Sequence, residues 1–294
     1  MVRQLKEAKT YQEQIENLIN NHALQISDRT KAEEILSTVN YYRLSAYGIG
    51  LMQPADPEKY LPGITLEHIY HLYQFDSGLR NILTPLIEYV EIAFRTRLAY
   101  QLAITYGAEG YRDASHFSQK TDRNRNSIYQ KTIDQLDKEI EHQQSLPCVK
   151  HHMTVYGGHF PIWAAMELFS FGMACSLYDV CSNKDKKNVA TCFYVTPQRL
   201  YGWMLTLLEL RNMCAHYNRL YNMLFKQPPA LDPRYQQYNS NRLFPKLLVL
   251  KALTPKDMWD QFVNKLQNLL HKYPEARPDF MGCPQTWLAL LKTP

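Results

Sequence analysis

The chain has little of what secreted, membrane-embedded or nucleotide-binding proteins carry. Its six cysteines, Cys148, Cys175, Cys181, Cys192, Cys214 and Cys283, never fall in C-x-x-C spacing. That argues against a disulfide framework and for free thiols in a reducing compartment. No apolar run approaches the length of a membrane span, and Met1-Val2-Arg3-Gln4-Leu5-Lys6-Glu7 has no apolar leader stretch. A soluble, cytoplasmic protein without a membrane partner is expected. There is no P-loop, no dinucleotide glycine fingerprint, no H-E-x-x-H and no G-x-S-x-G, so no cofactor is expected. Cys148, His151, His152 and His159 match no zinc spacing and read as part of a glycine-rich loop, so no metal is expected either. Glycine and proline number 11 and 16 among 294 residues, with 45% apolar and 21% charged residues, which excludes a disordered chain and allows one large core or two modest ones.

What is present is helical periodicity almost throughout. Apolar residues recur at i, i+3 and i+4 while period-2 alternation is scarce, which predicts an all-α protein. Spacing and cap residues predict helices over about 11–20, behind Ser27-Asp28 as far as Val39, from Leu66 to Tyr106 behind Thr65, and over about 127–143. Further helices are expected within Pro161 to Tyr178, after Thr196-Pro197, and after Thr254-Pro255. Pro54, Pro57, Pro62 and Gly63 mark one loop, and Pro228, Pro229 and Pro233 another. The expected organisation is an N-terminal helical lobe over 1–62, a helical core over 63–226 and a C-terminal helical extension over 227–294. Within the long helix Pro85 predicts a kink. Glu88, Glu91 and Arg95 form an i, i+3, i+4 ladder, either an exposed ion-paired face or a brace for a site.

The densest polar constellation is Leu210-Arg211-Asn212-Met213-Cys214-Ala215-His216-Tyr217-Asn218-Arg219-Leu220-Tyr221-Asn222. Leu200, Trp203, Met204, Leu207 and Leu208 lead into it at helical spacing, so a core-facing helix is expected to run into the cluster. On ideal geometry Asn212 and His216 share a face, as do His216 and Arg219, while Arg211 stands one residue off. These residue types suit a phosphodiester reaction that requires no metal. Neutral imidazole can accept a 2′-hydroxyl proton and imidazolium can return one to the leaving 5′-oxygen. An arginine fork can stabilise the transition-state charge. The same residues equally suit a structural hydrogen-bond network at a helix end. A net charge of +5 and 21 tyrosines are compatible with an RNA partner, although half-buried helix interfaces account for most tyrosines.

Arg211 to His216 fits the R-x-x-x-x-H signature, with asparagine after the arginine, and resembles the HEPN superfamily of helical ribonucleases. Further blocks are Asn40-Tyr41-Tyr42-Arg43-Leu44-Ser45-Ala46-Tyr47, Phe75-Asp76-x-x-Leu79-Arg80 with Ile87-Glu88-x-x-Glu91-Ile92-Ala93-x-Arg95, Pro161-Ile162-Trp163 with Glu167 to Gly172, and Met281-Gly282-Cys283-Pro284-x-x-Trp287. In order along most of the chain, they resemble the bacterial abortive-infection (Abi-like, AbiD/AbiF) family. That family is similar to the HEPN modules of RNA-guided type VI CRISPR effectors and is associated with phage defence. The resemblance implies a HEPN-type helical bundle and a metal-independent endoribonuclease whose site is composite across a homodimer, because this chain has one such motif. Arg211, His216 and Asn212 are then the catalytic candidates. Glu91, Arg95, Arg219, Tyr42 and Arg43 are candidates for RNA binding or for supporting the site. A non-catalytic protein that binds a small noncoding RNA is the alternative.

Overall fold

The computed structural model describes Leu5 and residues 7–293. The reading that the chain opens without a leader stretch falls largely outside them. The fold is all-α apart from one small hairpin. Helices α1 (Tyr11–His22), α2 (Arg29–Thr38) and α3 (Tyr41–Ser45) precede strands β1 (Met52–Gln53) and β2 (Asp56–Tyr60). Then come α4 (Leu66–Tyr106), α5 (Ile128–His142), α6 (Pro147–Val155), α7 (Ile162–Ala165), α8 (Phe171–Val180) and α9 (Asn183–Thr191). The chain ends with α10 (Pro197–Ala215), α11 (Leu243–Leu253), α12 (Lys256–Lys272) and α13 (Trp287–Lys292).

Local chemistry sets most of these boundaries. Thr10, Asp28, Thr65, Ser127 and Thr196 each accept a backbone N–H of the helix they precede, which satisfies a donor that the helix itself cannot. Helix α4 is the axis of the molecule. Its 41 residues reach roughly 60 Å at 1.5 Å per residue. It packs against α7, α8, α9, α10, α11 and α12 as well as α2 and α3, and the helix continues through Pro85. Leu72, Phe75, Leu79, Leu83, Leu86, Val90, Phe94 and Leu98 form its buried stripe. A single apolar cluster takes in residues from the N-terminal, central and C-terminal stretches alike.

Four local expectations change. The loop expected at Pro54 and Pro57 contains the β1–β2 hairpin, in which Met52 pairs with Tyr60; it forms because Tyr60 buries its ring and its hydroxyl meets that of Tyr41 at 3.0 Å. Cys148, His151 and His152 lie on α6 rather than in a loop, and the glycines Gly157 and Gly158, both at positive φ, come only after that helix ends. The apolar stretch Pro161 to Tyr178 is two α-helices, because Ser170 takes up the N–H of Met173 and starts a new one. Helix α11 is the fourth, an element that the sequence pattern does not predict. Its sides are buried all round, so it has no amphipathic stripe for periodicity to find. No helix among the described residues is long and apolar enough to cross a membrane.

Candidate functional site

Helix α10 carries the polar cluster at its C-terminal end. Thr196 caps its start, Pro197 fills the first turn, and Leu200, Trp203, Met204, Leu207 and Leu210 hold it in the core. The helix stops at Ala215, with His216 as the capping residue. The amide of Asn218 donates to the Met213 carbonyl at 2.8 Å and that of Tyr217 to Cys214 at 3.2 Å, the paired bonds of a Schellman stop. The left-handed position is held by Tyr217 at φ 55°. Glycine is the default there, and a side chain costs about 1–2 kcal/mol. Because the helix ends here, Arg219 does not share a face with His216 as ideal geometry suggests.

Beyond the stop lies a buried polar hub. Asp76 on α4 is fully buried and accepts from the amides of Tyr221 (2.7 Å) and Leu220 (3.0 Å), from the Tyr47 hydroxyl (2.7 Å) and from Arg80. Burial pushes the Asp76 carboxyl above the usual carboxylate range, against the pull of the Arg80 guanidinium and the other donors. Arg80 also donates to the Asn218 carbonyl at 3.2 Å, and Arg43 to that of Tyr217 at 2.6 Å. Arg219 turns inward onto the Ala46 carbonyl. Asn222 donates to Ile49 and accepts from Arg242, each at 2.8 Å. Residues 217–222 are therefore tied to α3 and the turn after it, to α4 and to the C-terminal stretch. Arg43 and Arg219, sequence candidates for RNA contact, have donors engaged in this scaffold.

The motif itself stands outside the hub. Asn212 and His216 are exposed, and the Arg211 side chain is 42% exposed. The imidazole of His216 makes no hydrogen bond to another described residue. Arg211 leans over a cleft of about 600 Å³ between α10 and α4, lined also by Asn81, Glu88, Glu91, Ile92, Arg95 and Tyr217. Its Nε lies 3.6 Å from Glu91, whose other oxygen is held by Arg95. Within the Glu88, Glu91, Arg95 ladder, Glu91 is buried and paired with Arg95 while Glu88 is exposed, so the three do not form one exposed ion-paired face. The Arg95 Nε is buried and has no hydrogen-bond partner among the described residues. Asn212 accepts from Arg211 at 3.4 Å and lines a different hollow, shared with Glu209, Arg219 and Lys226; the residue after the arginine thus sits on the ridge between two clefts. Burial pushes the Cys214 thiol up to about 12, so this cysteine inside the motif is no thiolate near neutral pH. Tyr42 is 88% exposed, while Tyr47 of the same aromatic patch is the buried anchor. No group of three or more metal-ligating side chains occurs among the described residues.

Sequence reasoning does not single out Asp76, Tyr47 and Arg80 as a unit. The available signal is a carboxylate on an apolar stripe, since Asp76 falls between Leu72 and Leu79 at core positions. No curated protein and no solved structure matches the chain. The model of the family described as Abi-like protein matches residues 34–222, a stretch that contains Asp76, Glu91 and the whole motif. The chain belongs to the Abi-like family.

Proposed function

We propose that this protein is a metal-independent endoribonuclease of HEPN type that acts in abortive infection, cutting RNA by internal transesterification to leave a 2′,3′-cyclic phosphate. The observation that carries this reading is the contrast in bonding at the end of α10. The polar groups at the hub's centre, Asp76, Arg80 and Tyr47, are buried and bonded, whereas Arg211 and His216 face solvent with capacity to spare. His216 exchanges the proton. Arg211, oriented by Glu91 and Asn212, stabilises charge on the phosphorane. Arg95, next to Glu91, lends the cleft a second guanidinium.

In-line displacement puts the attacking 2′-oxygen and the leaving 5′-oxygen on opposite sides of phosphorus. One imidazole cannot serve both at once, and each chain has a single Arg211–His216 pair. A homodimer that brings two pairs to one phosphate meets this requirement. Its support is an exposed apolar run on α4, with Ile92, Tyr100 and Ile104 each more than half exposed, continuous with the cleft through Ile92. Tyr42 and the outward side of α3 extend the RNA-facing surface beyond the pair.

The test is incubation of end-labelled single-stranded RNA with purified protein in EDTA, beside Arg211→Ala and His216→Ala, with analysis of product ends. Cyclic-phosphate ends from the parent alone are expected. RNA binding with no cutting by any of the three overturns the catalytic reading and leaves an RNA-binding protein.

A further inference from the structure

We infer that Tyr217 is a nucleobase platform, a stacking subsite for the base next to the scissile phosphate; this rests on the proposed RNA partner of the Arg211–His216 site. Tyr217 follows His216 directly and lines the same cleft as Arg211 and Arg95. Its ring is not part of the fold. The residue is 69% exposed, its hydroxyl bonds to no other described residue, and only its backbone is used, by Arg43 and by the helix stop. At φ 55° the backbone adopts a conformation that glycine takes without strain. A strained, solvent-facing aromatic in a position made for glycine gives the fold nothing that glycine would not. Tyr194 shares that strain, and what sets Tyr217 apart is its place in the cleft beside Arg211 and Arg95.

The neighbours supply the rest of a nucleotide's chemistry. Arg211 and Arg95 offer guanidinium groups for phosphate, and the phenol ring offers a face on which any base can stack. The subsite is therefore expected to be tolerant of base identity. The Arg43 tether at 2.6 Å fixes the carbonyl of Tyr217, so the ring has a rigid base from which to meet its ligand.

A second tyrosine provides the control. Tyr194 is also left-handed, at φ 56°, and is 97% exposed, but it lies outside the cleft. Binding of fluorescent single-stranded RNA is measured by anisotropy in a His216→Ala background, so that cutting does not consume the probe. Tyr217→Gly is expected to raise the thermal-unfolding midpoint and weaken binding by roughly 5- to 100-fold, the range for losing one stacked base. Tyr217→Phe is expected to bind as the background protein does. Tyr194→Gly is expected to raise the midpoint and leave binding unchanged. Unchanged RNA affinity in Tyr217→Gly overturns the platform while leaving the ribonuclease reading in place. Equal loss in Tyr217→Gly and Tyr194→Gly also overturns it. Absence of RNA affinity in the background protein itself overturns both.

Discussion

Two groups of polar residues meet at the end of α10, and they differ in how far the fold uses them. The backbone of residues 217–222, the side chains of Arg219 and Asn222, and Asp76 form one group, in which donors and acceptors are paired across elements far apart in sequence. Arg211, Asn212 and His216 form the other, exposed and lightly bonded. Residue type does not separate them, since each holds an arginine and an asparagine within eight positions. Bonding to distant elements does. A buried polar group must be bonded to be tolerated, so Asp76 and the groups that bond to it are committed to the fold, while Arg211, Asn212, His216 and the ring of Tyr217 are available for a ligand.

Substitutions sharpen this contrast when ranked by their effect on stability. Asp76→Ala leaves Arg80, Tyr47 and two buried amides without their acceptor, and a loss of about 3–5 kcal/mol is expected in urea unfolding, the range for breaking a buried pair. Arg219→Ala orphans the Ala46 carbonyl, and about 1–2 kcal/mol is expected by the same measurement. Glu91→Gln keeps the shape but removes the charge between Arg95 and Arg211. A loss of about 1 kcal/mol is expected, together with weaker cleavage in the EDTA assay because Arg211 is no longer oriented. Ile104→Glu adds a charge to the exposed apolar run of α4. Stability should move by less than about 0.5 kcal/mol, while light scattering should report the loss of the proposed homodimer. His216→Ala, at an exposed cap, should likewise stay within about 0.5 kcal/mol. Should Asp76→Ala prove as mild as His216→Ala, the distinction between the two groups fails.

The same contrast explains what can be read in the sequence. Caps such as Asp28, Thr65, Ser127 and Thr196 act on residues two or three positions away, so their helices are legible. The motif and the Glu91–Arg95 pair are legible as residue types at helical spacing. The hub is not, because Asp76 and Leu220 are 144 positions apart and nothing local announces their bond. The misplacement of Arg219 has a definite cause: the helix ends on a left-handed tyrosine, and no glycine marks the stop. Helix α11 is hidden by uniform burial, with even Lys246 inside, its ammonium 3.3 Å from Glu209. Burial holds that lysine below its usual range.

The most direct test of the account pairs two readings on two variants, His216→Ala and Arg219→Ala, each measured for urea unfolding and for metal-independent RNA cleavage at a temperature where both are folded. The account predicts a crossed result: His216→Ala unfolds with the parent and does not cut, while Arg219→Ala unfolds earlier and still cuts. Cleavage that survives in His216→Ala, or a His216→Ala protein that is as destabilised as Arg219→Ala, contradicts it.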